Sequence, residues 1–260
     1  MIVIGVLMAR SAVAADFAAE VLDSTFKLFA PDSTATCFFV RREPPDEALY
    51  LVTAAHVLEH VKQDSVIVVL RRPKPDGSFE RHDHTIAIRL DNKPLWERHE
   101  QHDVAVLRLA EEPPVAVGSL PIDAVADEAR FKSAGIHICS PVFIYTFPQR
   151  IEANLAGFPV ARQGIIASPP LLPVETHPVY LAEFTTFAGD SGGPVFTASA
   201  DGRPLLLGIV LAQLRHDERV KTEYEELTIH HPLGLGKVLH SQYVRDTVNA
   251  AAKEPDSVSD

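Results

Sequence analysis

Cysteine, positive charge and long apolar runs are all scarce in this chain. Its only cysteines are Cys37 and Cys139, and the sequence leaves open whether they form a disulfide or remain two buried thiols. Lys and Arg number 24 against 35 Asp and Glu, which gives a net charge of -11. Phosphate binding needs a basic surface, so nucleic acid is excluded as an expected partner.

The amino terminus is apolar but too short to cross a bilayer. An apolar run covers residues 2–9, whereas a spanning helix needs about 20 apolar residues, so we expect no stable membrane insertion. Small residues follow and resemble a signal-peptidase site after Ala14 or Ala15, although no basic residue precedes the run. We interpret residues 1–15 as a possible signal peptide and expect a secreted or periplasmic protein. A cytoplasmic protein with a buried amino-terminal element is the alternative.

Short β-rich runs dominate the rest of the chain. With 260 residues and 46% hydrophobic content, the chain can bury a full core. The runs predict an amino-terminal β-barrel over 16–110 and a second barrel over 122–236, separated by a proline-rich linker at 111–121. Helical spacing of apolar residues predicts a carboxy-terminal α-helix over 237–252 and a polar tail over 253–260. The oligomeric state is not readable.

One loop is built to present a hydroxyl group. Residues 187–196 contain the run Gly-Asp-Ser-Gly-Gly-Pro, in which Ser191 is surrounded by glycines that tolerate positive φ. Such a backbone can turn the amides of Gly189 and Ser191 toward one point beside the hydroxyl, as an oxyanion hole requires. A serine is a weak nucleophile unless a base removes its proton. The loop therefore predicts a histidine and an orienting carboxylate elsewhere.

Both partners are present in suitable positions. His56 follows an apolar strand that ends in small residues, and Asp103 stands at the head of an apolar strand over 104–109. Each residue alone has a commoner structural role: Ser191 in a turn, His56 in the core, and Asp103 capping a strand or pairing with Arg108. Their combination favours a triad of nucleophile, base and orienting acid.

The motifs that carry these residues resemble a known family. TAAHV, HDVAVLRL and GDSGGP match, in type and order, the catalytic motifs of chymotrypsin-like (trypsin-fold) serine peptidases, and the chain lacks the disulfide beside the histidine of animal trypsins. The resemblance spans most of the chain and points to the bacterial-type branch. It implies an all-β fold of two antiparallel six-stranded barrels, with the active site between them and a carboxy-terminal helix. It also implies peptide-bond hydrolysis through Ser191, His56 and Asp103, with protein or peptide substrates and no cofactor.

The resemblance also implies a substrate pocket. The residue six before the serine forms its floor, here Thr185 with Thr186 beside it, and neither is charged. The substrate-pairing strand maps onto 208–213, with one wall formed by Leu211, Ala212 and Gln213. We expect a small or medium uncharged residue before the scissile bond, because a buried cation would lack a counterion. Residues 216–232 are expected to be a loop whose His230 and His231 either lie in solvent or favour an acidic substrate residue.

Asp190 needs a partner of its own. In the family the equivalent carboxylate is buried, and in zymogen-type members it pairs with a newly cut amino terminus. No Ile-Val-Gly-Gly-like activation sequence is found here. We therefore expect a cation or a cluster of amides to meet Asp190, since burying an unpaired charge is costly.

Other functions remain as alternatives. His56, Glu59 and His60 fit the H-x-x-E-H pattern of inverted zinc peptidases, but that interpretation leaves Asp103 and the GDSGGP loop unexplained and offers no third ligand, so we expect no metal. A solvated loop is the better explanation for the remaining histidine cluster, which comprises His82, His84, His99 and His102. A peptide-binding homologue without catalysis, or an esterase using the same triad, also stays open.

Overall fold

The computed structural model describes residues 16–31, 33–44, 47–222 and 225–253. The possible signal segment and most of the expected tail lie outside these ranges, so export stays a prediction. Among the described residues, no helix has the length and apolar character needed to span a membrane.

The first half of the chain forms a mostly antiparallel sheet. Its elements are α1 (Asp16–Ser24), β1 (Thr25–Ala30), β2 (Ser33–Arg42), β3 (Ala48–Thr53), α2 (Ala55–His60), β4 (Ser65–Pro73), β5 (Phe79–Ala87), β6 (Arg89–Leu90), β7 (Lys93–Pro94), β8 (Glu97–Arg98), β9 (Ala105–Arg108) and β10 (Leu120–Pro121). Eight strands join in the order β5-β4-β1-β2-β3-β9-β8, with β10 pairing in parallel with β2. The expected linker therefore ends in a strand of this sheet.

The second half closes into a barrel. Its elements are α3 (Glu128–Ser133), β11 (Pro141–Thr146), β12 (Val160–Ile166), β13 (Val179–Glu183), β14 (Pro194–Ala198), β15 (Pro204–Lys221), β16 (Glu226–His240) and α4 (Ser241–Ala251), with single 3₁₀ turns at Ile122–Ala124 and Pro148–Arg150. The barrel order is β11-β12-β13-β16-β15-β14. The all-β class, this six-stranded barrel and the carboxy-terminal helix are confirmed.

The first half departs from the expected closed six-stranded barrel. Among the described strands, β5 and β9 do not pair, and a cavity of about 510 Å³ lies between them, lined in part by Ile86 and Leu107. The chain leaves β5 for the β6–β7 hairpin, which turns at Asp91 and Asn92, both at positive φ. Two consecutive residues of this kind are typical of a tight hairpin turn. The chain is thus turned away before it can complete the ring.

Two other boundaries also differ from the predictions. The carboxy-terminal helix begins at Ser241 and not at residue 237, because Val238 and Leu239 pair with both β13 and β15. The expected loop at 216–232 is instead a hairpin formed by the ends of β15 and β16. Neighbouring apolar residues buried on both faces of a strand give a pattern that resembles one turn of a helix.

The core joins the two halves. Phe17 of α1 contacts Phe143 and Phe196 of the barrel in T-shaped, edge-to-face pairs, at ring centroid distances of 5.6 and 6.1 Å. The two cysteines are not bonded, since Cys37 is buried and Cys139 is exposed. Burial raises the pKa of the Cys37 thiol. The stability of the described fold therefore rests on packing and not on a disulfide.

Candidate active site

The serine loop is fastened to the first sheet. Ser191 lies just before β14, and its carbonyl oxygen accepts a hydrogen bond from the Thr36 amide at 3.0 Å. Gly192 has φ +82°, and a Cβ there would lie 2.1 Å from Thr53 Oγ1 and 2.4 Å from the Thr36 oxygen. Only glycine fits this close approach. The loop is therefore held against β2 and the end of β3, where the chain enters α2.

His56 and Asp103 meet at the same end of the sheet. His56 is the second residue of α2, and Asp103 lies two residues before β9, whose Ala105 pairs with Thr53. One carboxylate oxygen of Asp103 lies 2.6 Å from His56 Nδ1, and the other accepts the His56 backbone amide at 2.9 Å. This arrangement favours a proton on Nδ1 and leaves Nε2 as the basic nitrogen.

The same contacts control the charge of Asp103. Burial by itself raises the pKa of this carboxyl, but the hydrogen bonds from the ring and the backbone of His56 outweigh burial and hold the pKa below its ordinary value. Asp103 thus stays ionised at neutral pH. An ionised carboxylate beside Nδ1 stabilises an imidazolium when Nε2 takes up a proton.

The Ser191 hydroxyl has a different partner. Its Oγ donates to the Leu211 carbonyl oxygen at 3.1 Å, and no hydrogen bond joins it to His56 in the described part of the chain. The acid–histidine couple is therefore assembled while the hydroxyl is turned toward β15. Catalytic hydrogen bonds are often loose or absent in unliganded enzymes and tighten when substrate binds.

Two backbone amides of the serine loop are available to form an oxyanion hole. Gln149 N donates to the Ala188 carbonyl at 2.7 Å, and Gly193 N donates to the Asp190 carbonyl at 2.9 Å. In a planar trans peptide the N–H points opposite to its carbonyl, so the amides of Gly189 and Ser191 point away from these donors. Within the described ranges, neither amide has an acceptor. Gly189 reaches this geometry at φ +101°.

Asp190 meets both kinds of partner that its burial requires. It is 1% exposed, and one of its oxygens accepts from Arg162 Nη2 at 2.6 Å while the other accepts from the Phe187 amide at 2.7 Å. Arg162 lies on β12 and also donates to the Thr185 carbonyl and the Thr146 hydroxyl. Sequence reasoning missed Arg162, whose only signal is an arginine inside a barrel strand. It fastens the loop before the serine to the barrel.

We expect Arg162→Gln to lower the free energy of unfolding by about 3–5 kcal/mol, because it leaves the Asp190 carboxylate buried without a cation. Urea denaturation followed by tryptophan fluorescence measures this change. Arg162→Gln combined with Asp190→Asn should recover much of the loss, since no unpaired charge remains. Arg41→Gln is the matched control, because Arg41 pairs with Glu112 at the surface and should cost less than about 1 kcal/mol. Equal losses for Arg41→Gln and Arg162→Gln would contradict the expected role.

Comparisons with known proteins identify the family. Residues 35–209 match the family of trypsin-like peptidase domains. The chain belongs to this family. A similar solved structure of the trypsin fold is Rv3671c from M. tuberculosis H37Rv, a serine-to-alanine mutant in its inactive form, with 18% identity, TM-score 0.50, and coverage of 98% of this chain and 100% of that chain. The Rv3671c protease, inactive form, gives 18% identity, TM-score 0.49, and coverage of 95% and 99%. No curated protein matches the chain.

The walls of the expected pocket are brought together in this trypsin-like peptidase domain. Thr185 is exposed, whereas Thr186 is 2% exposed, and its hydroxyl has no hydrogen-bond partner among the described groups. Gly236 faces Thr186, since a Cβ at Gly236 would lie 2.8 Å from Thr186 Cγ2. Gly236 in turn pairs with Gln213 of β15. Thr186 therefore takes the buried position that the sequence assigned to Thr185.

The expected substrate strand has a free edge. Ala212 pairs with Lys237 and Gln213 with Gly236 on one side, while β14 pairs with β15 only as far as Ile209. Leu211, Ala212 and Gln213 thus have no strand partner on their other side within the described chain. His230 and His231 lie far along the hairpin and contact Asp217 at 2.7 Å and Glu218 at 2.9 Å.

The zinc interpretation finds no support in the side-chain contacts. His56 Nδ1 contacts Asp103, and Glu59 accepts a hydrogen bond from Arg98 at 2.8 Å. Among the described residues, no group of three His, Cys, Asp or Glu side chains is arranged to hold a metal. His99 and His102 pack against each other and against Tyr243 of α4, with a centroid distance of 3.7 Å between His102 and Tyr243.

Proposed function

We propose that this protein is a serine endopeptidase that hydrolyses peptide bonds through Ser191, His56 and Asp103. The observation that carries the proposal is the two-point contact of one carboxylate with His56, at 2.6 and 2.9 Å. Beside it lies a glycine loop in which the amides of Gly189 and Ser191 have no acceptor among the described residues. A base with a fixed tautomer and a preformed site for negative charge are the two requirements of acyl transfer by serine.

The proposed reaction begins with a rotation of the serine side chain. Ser191 Oγ leaves the Leu211 carbonyl, turns to His56 Nε2 and passes its proton to that nitrogen as it attacks the scissile carbonyl carbon. The amides of Gly189 and Ser191 bind the oxygen anion that forms. Collapse of this intermediate breaks the C–N bond, and His56 returns the proton to the departing amine. Water then repeats the sequence on the acyl-enzyme, which releases the acid and restores Ser191.

The pocket supports a preference for uncharged residues before the scissile bond. Thr185 and Thr186 carry no charge, and the nearby Arg162 guanidinium is neutralised by Asp190 at 2.6 Å. A buried cation or anion of the substrate would lack a counterion here. A small or medium side chain fits this setting, and the unpaired Thr186 hydroxyl can hydrogen-bond to a polar one.

A peptide-binding homologue without catalysis is the second candidate. It is favoured by the hydrogen bond of Ser191 Oγ to the Leu211 carbonyl at 3.1 Å, which turns the hydroxyl away from His56. The two candidates differ in whether Ser191 can be activated in the folded protein.

Fluorophosphonate labelling tests the choice, because the reagent reacts with a serine only when a base and an oxyanion hole activate it. We expect intact mass to show a single adduct on the folded protein, unchanged by a chelator and absent from Ser191→Ala. No adduct on folded protein would favour the binding homologue. Labelling that a chelator abolishes would instead support the zinc interpretation.

A further inference from the structure

Beyond the barrel, the long hairpin of β15 and β16 pairs with no other described strand. We call residues 214–221 of β15 and 226–233 of β16 the ribbon. No described strand other than its own two pairs with it, because β14 leaves β15 at Ile209 and β13 leaves β16 at Leu235. Leu227, Ile229 and Leu233 are 52%, 43% and 53% exposed. A two-stranded ribbon is marginally stable alone, and its open edges invite a further strand.

The hydrogen bond at the tip of the ribbon determines which backbone N–H and C=O groups point outward. Thr222 N donates to the Glu225 carbonyl at 2.8 Å, and the register then runs without a shift from Lys221↔Glu226 to Arg215↔Pro232. In two antiparallel strands, directly opposite residues alternate between hydrogen-bonded pairs and non-hydrogen-bonded pairs. The even-numbered residues of β15 therefore form backbone hydrogen bonds to β16. The N–H and C=O groups that point outward from the ribbon belong to the odd-numbered residues Arg215, Asp217, Arg219 and Lys221.

At the active-site end of β15, odd-numbered residues also direct backbone groups outward. The Leu211 carbonyl faces outward, since it accepts the Ser191 hydroxyl at 3.1 Å. Leu211 is itself the extra residue of β15 where the register shifts between Val210 and Ala212. From its carbonyl onward, Leu211 and Asp217 are separated by an even number of positions, and at the second shift the extra residues lie on β16, between Pro232 and Gly236. From Leu211, beside the nucleophile, to the tip of the ribbon, the odd-numbered residues of β15 thus present their backbone groups along one open edge.

We propose that the ribbon extends the substrate-binding edge, so that the preferred substrate is an unfolded polypeptide segment that pairs antiparallel to β15 for about ten residues before the scissile bond. This inference rests on the proposed function. The first residue before the bond lies opposite Leu211, the third opposite Gln213, the seventh opposite Asp217 and the ninth opposite Arg219. Edge strands of folded proteins are usually short or protected, so an unfolded segment offers a strand of this length most readily.

The ribbon also favours a side-chain preference far from the cleaved bond. Directly opposite residues of an antiparallel pair share one face, and Val220 pairs with Leu227 while Glu218 pairs with Ile229. A substrate residue ten places before the bond would lie beside Val220, on the face that also carries Leu227 and Ile229. An aliphatic residue there would cover side chains that are otherwise in water, so we expect it to bind better than a serine.

Binding to the Ser191→Ala protein tests the inference without requiring turnover. Fluorescence anisotropy compares a peptide with four residues before the scissile position with one that has eleven. We expect the longer peptide to bind at least about tenfold more tightly, as several added backbone hydrogen bonds would allow. Methylation of the backbone nitrogen of the seventh residue should remove much of the gain, because that N–H faces β15. Methylation of the sixth residue, whose N–H faces away, is the matched control.

A protein variant gives an independent readout. Replacing residues 216–231 by Asn-Gly joins Arg215 to Pro232 through a short turn and removes most of the open edge. Its kcat/KM for the short peptide should stay within about twofold of the parent, while the advantage of the long peptide disappears. The removed residues include none of those assigned to the triad, the oxyanion hole or the pocket.

Several results would overturn the inference. These are equal affinity for the short and long peptides, equal effects of the two methylations, or a length advantage that survives removal of the ribbon. A dimer that dissociates when the ribbon is removed, without any length effect, would assign the edge to a second copy of the chain. Absence of fluorophosphonate labelling with ribbon-dependent peptide binding would overturn the proposed catalysis alone.

Discussion

Ser191→Ala is expected to lower kcat/KM for a peptide substrate by about a million-fold, because it removes the only group proposed to bond to the substrate carbonyl carbon. The acid–histidine couple cannot act through a missing nucleophile, so its contribution is lost as well. Hydrolysis of a fluorogenic peptide, followed to high enzyme concentration, measures the residual rate.

The fold should survive this change. Among the described residues, the Ser191 hydroxyl makes one hydrogen bond, to the Leu211 carbonyl. Removing the hydroxyl leaves no charged group without a partner. Ser199→Ala is the matched control, since the Ser199 hydroxyl bonds only within an exposed turn that includes Asp201. That variant should keep full activity. Peptide cleavage retained by Ser191→Ala at a comparable rate would mean that another residue is the nucleophile.

Asp103→Asn is expected to lower kcat/KM by about 10⁴-fold. The two oxygens of Asp103 have separate tasks, since Oδ1 accepts the His56 backbone amide and Oδ2 contacts Nδ1. An asparagine can keep the first bond through its carbonyl oxygen, but its NH₂ group would then donate to Nδ1. That contact favours the tautomer with the proton on Nε2, which cannot accept the proton of Ser191.

The measurement is kcat/KM for the variant beside its unfolding midpoint. The preserved backbone bond predicts a small loss of stability together with the large loss of rate. Asp123→Asn is the matched control, because the Asp123 side chain is 79% exposed and its ion pair among the described residues, with Arg245, is long at 3.4 Å. A harmless Asp103→Asn would show that a different carboxylate orients His56.

The charge of Asp103 also makes stability and activity depend on pH in the acidic range. Its pKa lies below the ordinary value, so its charged form stabilises the folded protein above the unfolded pKa. This contribution is lost as pH falls through the lower, folded value. Protonation of Asp103 therefore reduces stability and activity only under acidic conditions.

The architecture of the second half was largely predictable because strand runs and turn residues act locally. A short run of β-branched and aromatic residues, such as Val-Phe-Ile-Tyr within 141–146, favours a strand. Closure of the first half was not predictable, because it depends on how the β6–β7 hairpin directs the chain. The ribbon was expected to be a loop, since residues 215–219 are polar and charged, and their stabilising partners lie on a second strand.

In the candidate site too, some features were predictable from local sequence and others were not. GDSGGP, TAAHV and HDVAVLRL pointed to Ser191, His56 and Asp103, because glycine conformations and side-chain chemistry are properties of the residues themselves. The pairing of Asp190 with Arg162, 28 positions away, carried almost no local signal. The same holds for the Ser191 hydroxyl and the Leu211 carbonyl, 20 positions apart.

The amino-acid sequence by itself determined which chemical groups are available, where the backbone can turn sharply, and which runs become strands. Only the tertiary structure decided which polar groups meet, which barrel closes, and that the edge of β15 continues past the serine. The physical reason is that a hydrogen bond or ion pair between segments far apart in the chain forms only when the two atoms are placed to within a few tenths of an ångström. Packing of the whole fold sets those distances.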